Sequence, residues 1–177
     1  MKKKRTILII GGARSGKSRC ALKLARAFKS KTLLATLEPK DKEMRARIQR
    51  HRQARGPGWR VVEEPLKLKQ ALEAALSESA AVVVDCITLW LSNLLLSGMS
   101  DDAIFSQAKN LCKLLNNPGA VVVLVSNEVG QGIVPAEPLA RRYRDLLGEV
   151  NKMLAGVCSE VYLMVAGIPM VIKREQG

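Results

Sequence analysis

The stretch Thr6-Ile-Leu-Ile-Ile-Gly11-Gly12-Ala13-Arg14-Ser15-Gly16-Lys17-Ser18 decides the fold. The apolar, β-branched run from Thr6 to Ile10 predicts a buried strand, and the glycines end it. Gly11 to Ser18 then fits the pattern Gly-x-x-x-x-Gly-Lys-Ser, a P-loop. Glycine lets such a loop wrap so that successive backbone N–H groups point at phosphate oxygens. Ala21, Leu24, Ala25 and Phe28 come next at helical spacing, so the loop opens into a helix whose N-terminal dipole favours an anion. Lys17 is placed to reach the β- and γ-phosphates, and Ser18 to hold Mg²⁺. The expectation is an enzyme that moves phosphoryl or nucleotidyl groups.

Outward from this loop, strand and helix signals alternate to the end of the chain. Strands are expected at Thr32–Thr36, Arg60–Glu63, Ala81–Asp85, Ala120–Ser126, Glu160–Val165 and Met170–Lys173. Helices are expected from Glu38 to Arg55, around Leu68–Leu76, over Leu89–Leu96, around Ile104–Leu115 and around Leu139–Val157. Asn127 to Pro138, with glycines and prolines, reads as a loop. Ala81–Asp85 and Ala120–Ser126 are continuously apolar before their last residue, as in strands buried on both faces. The sum is an α/β fold of the RecA-like P-loop NTPase kind, with a mainly parallel sheet of about seven strands and helices on both faces. Residues 1–177 read as one nucleotide-binding domain, with a basic, loosely ordered stretch at 1–5. Ligands of such sheets sit beyond the carboxyl ends of the strands. The P-loop, Asp85 and Asn127-Glu128 all fall there.

Composition narrows the partners. The chain has 177 residues, 47% of them hydrophobic, which is enough for a core without disulfides or metals. No apolar run has the length of a membrane helix, so no stable membrane insertion is expected. Cys20, Cys86, Cys112 and Cys158 are widely spaced and sit in or beside apolar runs, which predicts free thiols in a reducing cytoplasm. The net charge of +13 attracts polyanions, including phosphorylated substrates. Only 3% of residues are aromatic, and no helix-turn-helix or zinc signature is present, so nucleic acid is not the expected partner.

Three further features carry chemistry. Asp85 ends a buried strand, where a carboxylate holds Mg²⁺ directly or through water, or else caps a helix. Asn127-Glu128 forms a lip at the flexible loop, and Glu128 is a candidate base. His51 is the only histidine, with Arg47, Arg50, Arg52 and Arg55 around it. That helix face either binds phosphate or is simply a solvated basic surface. A neutral imidazole can also attack phosphorus, and flanking guanidinium groups disfavour its protonated form, so a lowered His51 pKa is expected. On these residues alone two other readings stay open. One is a different P-loop small-molecule kinase without a covalent intermediate, and the other is a non-enzymatic basic nucleic-acid binder.

Taken together, the segments resemble the bifunctional adenosylcobinamide kinase/adenosylcobinamide-phosphate guanylyltransferase family of cobalamin biosynthesis. The resemblance rests on Gly11–Ser18, Leu34-Ala-Thr36, Arg47-Ile-Gln-Arg-His51, Asp85-Cys-Ile-Thr-Leu-Trp-Leu-Ser-Asn93 and Ser126-Asn-Glu-Val-Gly130. Gly132-Ile-Val-Pro135, Leu139-Ala-Arg-Arg-Tyr-Arg-Asp145 and Ala166-Gly-Ile-Pro169 extend it. The family's order is kept from residue 6 to about 173. Gln131 stands where Met is common, and Ser92 where Thr is frequent, and neither removes a group the chemistry needs. The resemblance implies phosphorylation of adenosylcobinamide by ATP or GTP, then transfer of GMP from GTP through His51 to adenosylcobinamide phosphate. It implies nucleotide contacts from Gly11, Gly12, Ala13, Arg14, Ser15, Gly16, Lys17 and Ser18, from Ala35, Thr36 and Leu37, and from Arg52, Gln53, Ala54, Arg55, Glu63 and Asp85. Mg²⁺ on Ser18 and Asp85 and a homo-oligomer, a trimer, are implied too.

Overall fold

The computed structural model describes residues 5–38 and 58–174. Its strands are β1 (Thr6–Gly11), β2 (Lys31–Ala35), β3 (Trp59–Glu63), β4 (Ala81–Asp85), β5 (Val121–Val125), β6 (Glu160–Val165) and β7 (Ile168–Arg174). Its helices are α1 (Lys17–Ala25), α2 (Leu68–Glu78), α3 (Ile87–Leu96), α4 (Asp101–Leu115) and α5 (Pro138–Val157). The expected helix from Glu38 to Arg55 lies, Glu38 apart, outside the described residues. Phe28 falls beyond α1: Arg26 N–H already turns back to the Lys23 carbonyl at 3.3 Å, and Phe28 N–H bonds the Ala25 carbonyl at 3.2 Å.

The strands form one sheet in the order β3-β2-β4-β5-β1-β6-β7. All neighbouring pairs are parallel except β6–β7, which are antiparallel and joined by the tight Ala166-Gly167 turn. Alternate residues serve opposite faces, as the strand period requires. Ile7, Ile9, Val83, Val123 and Val125 pack with Ala21 and Ala25 of α1. Leu8, Val82, Val84, Val122 and Leu124 face the other way, toward α2, α3, α4 and α5. The central strands therefore carry apolar residues on both faces, which is why their sequences do not alternate. On α3, Ile87, Trp90, Leu91, Leu94 and Leu95 are all buried, and the Trp90 indole N–H is satisfied by the Leu66 carbonyl at 2.9 Å. The four cysteines are free, and Cys86, Cys112 and Cys158 are buried. Burial pushes the Cys158 thiol up to about 12, which keeps it from acting as a nucleophile.

At the amino edge of the sheet, Glu160 is the centre of a polar clamp. Arg5 bonds its carboxylate, the Tyr162 hydroxyl donates to it at 2.6 Å, and Arg174 donates to the Tyr162 oxygen at 2.8 Å. The hydrogen bond from Arg5 is the main reason the Glu160 carboxyl lies below its ordinary range, with Tyr162 and Arg174 adding to it. A depressed carboxyl stabilises the fold above its unfolded pKa, and that contribution is lost as pH falls through the folded one. Glu160→Gln is expected to cost about 2 kcal/mol at pH 7, the value of a charge-assisted bond. Denaturant midpoints should show the gap shrinking toward pH 3. A pH-independent gap would mean that charge is not what Glu160 contributes.

Candidate active site

The Gly11–Ser18 loop leaves β1 with alternating backbone handedness. Gly11 has φ 148°, Arg14 φ 57° and Gly16 φ 95°, conformations in which successive N–H groups turn inward. Gly11 has no alternative. A Cβ there would stand 2.6 Å from the Met164 carbonyl of β6, in a conformation that already favours glycine. Gly16 caps α1 without a side-chain bond, and the first turn holds no acidic residue. No carboxylate of that turn competes for its N–H groups, the condition for holding a phosphate. The Ser15 hydroxyl oxygen is buried with no partner among the described residues.

Lys17 is only 7% exposed. Its ammonium donates to the Gly11 carbonyl at 2.9 Å and the Gly12 carbonyl at 2.6 Å. The loop's own carbonyls therefore aim the cation across its mouth. Ser18 is half-buried in the first turn of α1, which packs on β5 and β4. Asp85, also half-buried, ends β4. It lies two strand spacings, about 10 Å, from β1. The cap of α3 is Cys86, not Asp85, so the carboxylate is not consumed as a helix cap. A serine hydroxyl and a carboxylate are hard oxygen donors of the kind that Mg²⁺ accepts.

The remaining residues share this edge. β2 and β4 run in register, with Ala35 opposite both Asp85 and Glu63. Thr36 ties the strand ends together. Its N–H bonds the Asp85 carbonyl at 3.2 Å, and its hydroxyl donates to the Cys86 carbonyl at 2.7 Å and accepts from Cys86 N–H at 2.9 Å. The Asp85–Cys86 peptide is cis. Asn93 of α3 reaches back to donate to the Thr36 and Pro65 carbonyls at 2.8 and 3.1 Å. Glu63 is exposed at the end of β3, four strand spacings or about 19 Å from β1. Ala35, Thr36, Leu37 and Glu63 thus share the edge but not the phosphate loop. His51, Arg52, Gln53, Ala54 and Arg55 lie outside the described residues.

β5 runs between β4 and β1, which brings Asn127 and Glu128 up between Asp85 and the P-loop. Glu128 N–H bonds the Gly11 carbonyl at 3.0 Å. Asn127 N–H donates to the Thr88 hydroxyl at 2.7 Å, and the Asn127 carbonyl accepts from the Asn151 amide at 2.9 Å. Tyr143 in turn donates to the Thr88 carbonyl at 3.0 Å. Sequence reasoning gave no role to Thr88, Asn93 or Asn151, although the first two lie in the Asp85–Asn93 segment that carries the resemblance. For Asn151 a signal existed: it stands on the buried stripe Leu147, Val150, Leu154, where an amide is out of place unless it has work to do.

This edge of the sheet carries the P-loop, the Lys17 ammonium held by its carbonyls, and the Ser18 and Asp85 side chains. The fold is that of P-loop ATPases. A prototypical ATPase of a bacterial type III secretion system aligns with a TM-score of 0.55 at 13% identity, covering 91% of this chain and 51% of that one. The RadB recombinase aligns with 0.55 at 15%, covering 90% and 73%. These likenesses concern the fold alone. Sequence similarity goes further. The bifunctional adenosylcobalamin biosynthesis protein CobP of Pseudomonas aeruginosa is 41% identical, over 95% of this chain and 97% of its own. The corresponding protein CobU of Escherichia coli K12 is 40% identical, over 94% and 99%. Residues 7–172 match the family described as cobinamide kinase / cobinamide phosphate guanyltransferase, and the chain belongs to that family.

Proposed function

We propose that this enzyme runs both of its family's reactions at one nucleotide edge within a single domain, and that the second passes through a GMP-histidine on His51. In the kinase reaction the hydroxyl of adenosylcobinamide attacks the γ-phosphorus of ATP or GTP. An O–P bond forms, the β–γ bridge breaks, and the nucleoside diphosphate leaves. In the second reaction a neutral His51 nitrogen attacks the α-phosphorus of GTP and pyrophosphate leaves. The phosphate of adenosylcobinamide phosphate then takes the GMP, giving adenosylcobinamide-GDP and free His51.

The observation that carries this reading is the Lys17 ammonium held over the mouth of the loop by the Gly11 and Gly12 carbonyls. There it meets negative charge as it builds on the transferred group. Ser18 and Asp85 would hold Mg²⁺, which when bound neutralises the triphosphate and eases departure of the leaving phosphate. Backbone donors of Gly12 to Ser18 grip the phosphates. Ala35, Thr36, Leu37 and Glu63, far along the edge from β1, suit the nucleoside, and Arg52 to Arg55 the α-phosphate. The test is incubation with GTP labelled on the α-phosphate. Acid-labile, base-stable label on the denatured protein is expected, and adenosylcobinamide phosphate should release it. Folded protein that takes no label would leave only the kinase half.

We further propose a homo-oligomer, a trimer, working in the cytoplasm. Its support is β7, an edge strand whose Ile168, Met170, Val171 and Ile172 are all exposed. An edge this apolar is a template for pairing with another chain. Light scattering is expected to give a multiple of the 19.4 kDa chain mass, and a monomer at tens of micromolar would refute it. Among the described residues no helix is long and apolar enough to cross a membrane.

A further inference from the structure

The kinase reaction needs a second substrate at the γ-phosphate end of the nucleotide, and the chain past β5 is built to receive it. Glu128 is pinned there by its backbone, through the bond from its N–H to Gly11. The preceding residue is pinned twice more, by Thr88 and Asn151. The Glu128 carboxylate is half-committed. Oε1 accepts Gly130 N–H at 2.7 Å, and Oε2 has no partner among the described residues. A carboxylate whose backbone is bonded to the P-loop, with one oxygen uncommitted, can serve a substrate that brings a proton to it.

The loop beyond Glu128 puts apolar side chains into water. Val129 and Val134 are exposed, and Ile133 is 96% exposed. Arg141 closes the segment by donating to the Pro135 and Ala136 carbonyls, so the loop is tied at both ends while these side chains face outward. Single exposed apolar residues are ordinary, but three within one loop at the ligand edge form a surface. The nucleotide does not need it. A corrinoid does, because its macrocycle carries methyl groups around the ring and its reactive alcohol on a polar side arm.

We propose that residues 128–134 form the acceptor subsite: Val129, Ile133 and Val134 pack against the corrin ring, and the Glu128 carboxylate takes the proton from the alcohol as its oxygen bonds to the γ-phosphorus. This rests on the kinase reading. The proton ends on Glu128, the new O–P bond replaces the β–γ bridge, and the diphosphate leaves on the P-loop. The side-chain oxygen supplies the base, and the apolar loop supplies the affinity.

The experiment compares kinase constants of the full-length protein with those of Glu128→Gln and of the double variant Ile133→Ser, Val134→Ser. Glu128→Gln is expected to lower kcat by about 10²-fold or more, to leave the KM for the corrinoid near its starting value, and to flatten the acid limb of the kcat–pH profile. The double variant is expected to raise the corrinoid KM by about tenfold with kcat retained. Binding of a fluorescent triphosphate analogue within twofold of wild type shows that each variant is folded around an intact P-loop. Wild-type constants in either variant overturn the proposal, as does a double variant whose only change is its mass in solution. Failure of the kinase reading itself would appear separately, as a wild-type protein that does not phosphorylate the corrinoid at all.

Discussion

Lys17→Ala is expected to slow phosphoryl transfer by about 10³-fold at saturating nucleotide, roughly 4 kcal/mol of transition-state stabilisation. The size comes from where the ammonium sits. At 7% exposure it is shielded from water, so its field on a transferring phosphate is weakly screened. Two carbonyls of the loop fix it at 2.9 and 2.6 Å, so no reorganisation is needed as charge develops. Lys17→Arg keeps the charge and should still fail. The wider guanidinium fork does not fit a point of contact shaped by two converging carbonyls. Single-turnover rates decide the matter. A Lys17→Ala enzyme within tenfold of wild type, or a full rescue by arginine, would remove Lys17 from the chemistry.

His51→Ala is expected to abolish protein labelling by GTP and the guanylyl transfer that depends on it, while phosphorylation of adenosylcobinamide continues. The loss is complete rather than graded because no other histidine exists in the chain to accept the GMP. On the proposed reading the kinase step uses Lys17, Ser18, Asp85 and Glu128 and makes no use of an imidazole. Measuring both reactions on the same preparation therefore separates them. Persisting guanylyl transfer would point to direct displacement on GTP, and simultaneous loss of both would make His51 a binding residue shared by the two reactions.

How much of this was legible in the sequence depends on the range of the interaction. The P-loop was legible because its chemistry is local: glycines at positions with positive φ, then Lys17 and Ser18 opening a helix. The buried strands were legible because β4 and β5 carry apolar residues on both faces. The order of the strands was not. Nothing in Ala81–Asp85 or Val121–Val125 says that β5 lies between β4 and β1, and that placement is what brings Glu128 beside Gly11. The Thr36–Cys86 knot joins the residues that follow β2 and β4, far apart in the sequence, and neither residue type announces a partner. Asn151 was the exception, a polar residue on an apolar stripe, and its spacing alone marked it.

The turn at Gly167 has a role beyond reversing the chain. Its N–H bonds the Ser15 carbonyl at 3.1 Å, and its Cα lies 3.4 Å from where a Gly16 Cβ would stand. The same turn begins β7, the apolar edge. A second copy docked on β7, as proposed above, would be one short hairpin away from the phosphate cradle, and a tilt of that hairpin would bear on Ser15 and Gly16. If the proposed oligomer pairs through β7, nucleotide affinity and assembly are thermodynamically linked, and each ligand-dependent change in one is matched by a reciprocal change in the other.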